Sequence, residues 1–129
     1  KKLTLLVICD YTDSYTEKQI KILSEIKDYL DKNFIIKIKP HPAKVTNFIN
    51  INKNKFPIIE ENLEKISTEV DIVLTSNTTT AALEFHILGK PVISILDDKA
   101  LNLSPLRRIK DVNFISNSSQ LINILKNFK

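Results

Sequence analysis

Apolar residues along this chain come in two rhythms. Short runs recur at Leu3–Cys9, Phe34–Ile38, Asp71–Thr75 and Pro91–Leu96, rich in Val, Ile and Leu and almost free of alternation. Such runs predict strands of a parallel sheet, Leu3–Cys9 central in it, Asp71–Thr75 buried on both faces and Pro91–Leu96 also buried. Between them the spacing changes to three and four. Ile20, Leu23, Ile26 and Leu30 form one stripe of a helix predicted over Glu17–Asp31, and Ser14 with Glu17 has capping-box spacing. That helix is long enough for a right-handed crossover, so the strands flanking it should be parallel.

The remaining elements follow from local punctuation. Ala43–Asn50 and Glu61–Glu69 predict short helices, the latter with Leu63 and Ile66 inward. Phe56–Ile59 predicts a short strand after a lysine- and asparagine-rich loop at Asn52–Lys55. Ala81–Leu88 predicts a helix stopped by Gly89, the chain's single glycine, which sits where positive φ is wanted, and Pro91 forbids continuation. Asp97–Leu103 reads as a loop, and Ser104-Pro105 has the form of an N-cap with proline at N1. Val112–Ile115 predicts an edge strand, and Asn117 and Gln120 introduce a last helix carrying Leu121, Ile124, Leu125 and Phe128. The alternation predicts an α/β fold: a Rossmann-like, doubly wound parallel sheet of about five or six strands in three α/β/α layers.

Composition adds limits. The chain has 129 residues, room for a single domain with a real core, and no apolar run of transmembrane length or signal peptide. Cys9 is the one cysteine and lies inside a predicted strand, so no disulfide framework exists and a reducing compartment fits. The net charge of +4 comes from lysines spread over every segment, without a basic stripe interleaved with aromatics, so no nucleic-acid partner is expected. The sequence begins at Lys1 rather than Met, and the expectation is of an excised domain.

Two places concentrate candidate chemistry. His41 stands between Pro40 and Pro42 at the carboxyl end of a predicted strand. Both prolines restrict the backbone and present the imidazole in one direction. In Ser76-Asn77-Thr78-Thr79-Thr80, four of the five residues carry hydroxyls, between a strand end and a helix start. Open α/β sheets bind anions at such turns. A cap needs one hydroxyl; the surplus points to an anion. With no glycine there, the turn is neither a P-loop nor a dinucleotide fingerprint. Glu84 lies one turn beyond Thr80 and can accept hydrogen bonds from vicinal hydroxyls, as a ribose offers. His86 reads as a packing or surface histidine. Asp10, Asp13, Asp97 and Asp98 read as solvated loop acids, and Arg107-Arg108 as a surface pair able to clamp a phosphate.

Taken together, KPHP at Lys39–Pro42 and TSNTTTAALEFHILGKPVISI at Thr75–Ile95 resemble the carboxyl-terminal, donor-binding domain of GT-B-type glycosyltransferases. The likeness is to bacterial enzymes of surface-carbohydrate synthesis, the HP-motif sialyltransferases and the CDP-glycerol glycerophosphotransferases. The resemblance implies a CMP-, CDP- or UDP-linked donor, with His41 contacting its phosphate or nucleotide and stabilising the phosphate leaving group. It implies Thr78 and Thr79 holding phosphate with Ser76 and Asn77 nearby, the Thr78–Thr80 helix terminus helping to stabilise it, and Glu84 binding ribose hydroxyls. It implies no cofactor and no obligatory metal. An amino-terminal acceptor domain outside this sequence would supply the general base, so this polypeptide alone should bind rather than catalyse. The full enzyme would work in the cytoplasm, at the inner face of the membrane, with peripheral membrane association. The first loop departs from the family in lacking a glycine turn and carrying Asp10 and Asp13. The alternatives are a sugar-nucleotide enzyme like the UDP-GlcNAc 2-epimerases, or a non-catalytic flavodoxin- or receiver-like module.

Overall fold

A computed structural model describes residues 2–9, 11–52, 56–59, 63–76, 81–95 and 113–128. The strands are β1 (Leu3–Ile8), β2 (Phe34–Lys39), β3 (Ile72–Ser76), β4 (Val92–Ile95) and β5 (Asn113–Ile115). They form one sheet in the order β2-β1-β3-β4-β5, and every pairing is parallel. The helices lie on both faces, as a doubly wound fold requires. The strand expected at Phe56–Ile59 is reduced to a parallel bridge between Ile58 and Ile38, held by Ile38 N–H to Pro57 O at 3.2 Å and Ile59 N–H to Ile38 O at 2.9 Å. Counting that bridge as a rudimentary strand, the order across the sheet becomes 3-2-1-4-5-6, the dinucleotide-binding arrangement.

Burial explains the strand patterns. β3 and β4 are buried throughout and β1 after its first residue, which is why their sequences run apolar without alternation. β2 instead alternates, burying Phe34, Ile36 and Ile38 while Ile35 stays exposed and Lys37 pairs with Glu69 at 3.0 Å. The larger core packs Leu5, Val7, Ile72, Leu74 and Ile93 against helices α1 (Asp13–Glu25), α2 (Lys27–Asn33), α3 (Val45–Asn52) and α6 (Ser118–Leu125). The smaller core packs Leu6, Ile8, Val73 and Val92 against Ile66 of α4 (Leu63–Ile66) and Phe85 of α5 (Ala81–Ile87).

Several helix boundaries differ from the sequence expectation. The helix predicted over Glu17–Asp31 starts at Asp13 and is divided at Ile26, whose φ of −121° and ψ of 25° leave the helical region. Ser14 therefore lies within the first turn, and the expected capping box does not cap this helix; the N-cap is Thr12, without a side-chain bond. The helix expected over Glu61–Glu69 covers only α4, followed by a turn in which Glu69 N–H reaches Ile66 O at 2.9 Å. After Pro42–Lys44, a single 3₁₀ turn, α3 runs to Asn52.

Two ends follow the sequence closely. Gly89 adopts φ 81°, Gly89 N–H bonds His86 O at 3.0 Å, and Lys90 N–H bonds Phe85 O at 3.0 Å, a Schellman motif closing α5. At α6, Asn117 accepts from Gln120 N–H at 2.9 Å while Gln120 Oε1 reaches back to Ser116 N–H at 2.6 Å. The readings at Ser104-Pro105 and the loop Asp97–Leu103 lie outside the described residues.

Candidate functional site

All strands point the same way, so their carboxyl ends share one edge of the sheet. β1 sits between β2 and β3. The first crossover leaves β1 toward β2, and the later ones run from β3 the other way, making β1/β3 the topological switch point where such sheets bind ligands. With strands about 4.8 Å apart, the ends of β2 and β3 lie roughly 10 Å from each other. His41 follows β2 by two residues and Ser76 ends β3. They lie at the same carboxyl edge, on either side of the end of β1.

The two prolines hold His41 as the sequence predicts. Its φ of −61° and ψ of 133° are extended, the region proline enforces on its predecessor, and it caps the 3₁₀ turn. Its Nδ1 accepts from Ala43 N–H at 3.1 Å. An imidazole nitrogen that accepts carries no proton, so the neutral ring keeps its hydrogen on Nε2, which is then a donor. The cap thus fixes the tautomer as well as the direction of the ring.

A set of contacts that the sequence did not reveal surrounds this histidine. The Tyr11 ring meets His41 edge-on at 5.3 Å, and Lys44 Nζ stands 4.7 Å from the Tyr11 centroid. Lys44 also lies 3.7 Å from Asp13 Oδ1, and Asn47 Nδ2 donates to Asp13 Oδ2 at 3.0 Å. Asp13, read from sequence as a solvated loop acid, is instead the first residue of α1, tied to Lys44 at the end of the 3₁₀ turn and to Asn47 of α3. Its charge also suits the helix's positive end. Only spacing in three dimensions brings these groups together, and no linear motif marks them.

The hydroxyl-rich row begins inside the sheet. Thr75, Ser76 and Ser94 are buried, and the Thr75 and Ser94 hydroxyls each approach Ser76 O at 3.5 Å. Ser76 Oγ is buried and has no hydrogen-bond partner among the described residues. Asn77, Thr78, Thr79 and Thr80 lie outside the described residues, as do Asp10, Asp97, Asp98, Arg107 and Arg108. Glu84 is exposed on α5, and His86 is half-buried there. Among the described residues no three His, Cys, Asp or Glu side chains cluster as metal ligands, and no helix is long and apolar enough to cross a membrane. Cys9 is buried and forms no disulfide. A cleft of about 460 Å³ opens between α1 and the start of α6, lined by Glu17, Lys21, Ile22 and Asn117 among others. Its charges are of both signs, and neither His41 nor Ser76 lines it.

No protein-family model matches the chain, and no curated protein matches it in sequence. Fold and edge together define a class: a doubly wound α/β domain with a polar carboxyl edge at its β1/β3 switch point.

Proposed function

We propose that this chain is the nucleotide-sugar-binding domain of a glycosyltransferase in bacterial surface-polysaccharide synthesis. The observation that carries the reading is His41, with Nδ1 capped and Nε2–H left as donor, beside the switch-point crevice. A phosphate offers only acceptor oxygens, so a ring locked as a donor suits it. In the full enzyme a CMP-, CDP- or UDP-linked donor lies across the carboxyl edge. His41 Nε2–H and the hydroxyls of Thr78–Thr80 hold its phosphate, with Ser76 and Asn77 nearby, and the Glu84 carboxylate accepts from the ribose hydroxyls. As the bond to the sugar or alditol phosphate breaks, charge grows on the departing phosphate, and fixed donors stabilise it electrostatically without an obligatory metal. The general base comes from an amino-terminal acceptor domain, and the enzyme works on the cytoplasmic side of the membrane.

Calorimetric titration with CMP, CDP and UDP tests this. Weak binding is expected, reduced further by His41→Ala and by Glu84→Ala. Binding that neither substitution alters contradicts the reading.

A second reading, a non-catalytic flavodoxin- or receiver-like module, draws on the β2-β1-β3-β4-β5 order, which such proteins share. Against it, the Asp13 carboxylate is already engaged by Lys44 and Asn47. A spectral change on adding magnesium with an acyl phosphate would favour this second reading.

A further inference from the structure

Gln19, like Thr16, is a buried polar residue that the amphipathic pattern of α1 does not explain. It is 0% exposed, in the same stretch as the core residues Ile20 and Leu23. Its Nε2 donates to Ile8 O at 2.9 Å, while its Oε1 is buried with no partner among the described residues. The amide cannot profitably be turned over, because Oε1 would then face the Ile8 carbonyl, acceptor against acceptor.

The place of this orphan atom follows from the pleat. Asp71 N–H bonds Thr4 O, so the carbonyls of Thr4, Leu6 and Ile8, two residues apart, face β3. Cys9 N–H bonds Lys39 O on the other side. Ile8 pairs in register with Thr75, next to Ser76. Gln19 therefore lies over the β1/β3 seam at its carboxyl end. On β3, Ile72 and Leu74 face the larger core, where α1 packs, and the alternation puts Ser76 on that same face. Two buried side chains with unpartnered polar atoms thus meet one seam from one side. Buried polar groups are nearly always paired; among the described residues Ser24 Oγ and Tyr29 Oη are also orphaned, but Gln19 and Ser76 are the two at the switch point, where a ligand would supply the partner.

We propose that Gln19 and Ser76 form the floor of the ligand site and take an uncharged hydrogen-bond donor of the ligand, a hydroxyl or amino group. This rests on the nucleotide-binding reading and deepens it. The chemistry discriminates within the nucleotide. Gln19 Oε1 only accepts, and an ionised phosphate only accepts, so the phosphate cannot satisfy it. A nucleoside hydroxyl or exocyclic amine donates to Oε1 and exchanges a hydrogen bond with the Ser76 hydroxyl. The phosphate then belongs to the His41 side of the crevice, and the nucleoside to the Gln19 side.

The test uses cytidine and uridine, which lack phosphate, against inorganic pyrophosphate, which lacks a nucleoside. Nitrogen-15 spectra report the Gln19 side-chain amide, the Ser76 backbone amide and the His41 ring separately. A nucleoside is expected to shift the Gln19 and Ser76 signals, and pyrophosphate the His41 signals. Ser76→Ala, a small change that the fold tolerates, should weaken nucleoside binding about threefold to tenfold and leave pyrophosphate binding unaltered. Gln19→Met should do the same with little change in melting temperature, because it removes the unsatisfied acceptor together with the hydrogen bond to Ile8 O. Should CDP or UDP shift His41 while Gln19 and Ser76 stay unmoved, the floor holds only a buried water: the inference falls and the nucleotide reading stands. Should no nucleotide shift any of the three, both fall.

Discussion

The Tyr11 and His41 rings meet edge to face, with centroids 5.3 Å apart and planes inclined by 82°. This contact links the loop after β1 to the loop after β2 across the carboxyl edge of the sheet. One end of the imidazole is fixed by the Ala43 N–H and one side by a phenol ring, so Nε2 is held in direction before any ligand arrives. Preorganised donors lose less entropy on binding than mobile ones.

His41→Ala should therefore weaken nucleotide binding without unfolding the domain. A hydrogen bond to a charged group is worth about 1.5–3 kcal/mol, a loss of roughly tenfold to a hundredfold in affinity. Tyr11→Leu removes only the ring that steadies the histidine and should cost less, within the roughly 0.5–1.5 kcal/mol of an aromatic pair. Calorimetry on both variants, with circular dichroism as the check on folding, decides the order.

Gly89→Ala should destabilise the fold through the backbone alone. A Cβ there would meet nothing within 4 Å, but φ is 81°, so the expected cost is the left-handed penalty of about 1–2 kcal/mol. Urea unfolding should show a lower midpoint at an unchanged slope.

That glycine also shows which parts of the fold are legible in sequence. Signals that are local and chemical survived: Gly89 at the stop of α5, the proline-flanked His41, Asn117 with Gln120 at the start of α6, and the apolar runs of the central strands. Signals that tertiary contacts override did not. α1 begins at Asp13 because Lys44 and Asn47 hold that carboxylate, and neither is close in sequence. The helix divides at Ile26, where periodicity alone continues it. Gln19 looks like one more solvent-facing helix residue until the packing shows it buried. Of the candidate site, His41 and Ser76 stand out in the sequence because their local composition is unusual. The Tyr11–Lys44–Asp13–Asn47 set was missed because it spans loops joined only by the sheet.

Asn52 provides a second stability test. It is buried, and its side chain clamps one residue from both sides: Nδ2 donates to Phe56 O at 2.9 Å and Oδ1 accepts from Phe56 N–H at 3.2 Å. Asn52→Ala orphans both backbone groups. At about 1–3 kcal/mol for each unsatisfied group, a loss of roughly 2–6 kcal/mol is expected in thermal or chemical unfolding. The exposed Asn47→Ala should cost under about 1 kcal/mol by comparison.

Asp13→Asn should act weakly and with salt. The Lys44 pair is long and half-exposed, so its contribution belongs with surface ion pairs, about 0.2–1 kcal/mol. Whatever difference appears at low ionic strength should shrink in 1 M salt, where the Debye length is about 3 Å. An effect that persists undiminished there would mean that the Asn47 hydrogen bond, not the charge, holds the helix start.

The central claim is that one crevice, between the ends of β2 and β3, grips a nucleotide. A titration of the nitrogen-15-labelled domain with CDP or UDP to millimolar concentration tests it most directly. Saturable shifts that converge on His41, Ser76 and Glu84 are the predicted result. Shifts confined to the cleft between α1 and α6, or none at these three residues, would contradict it.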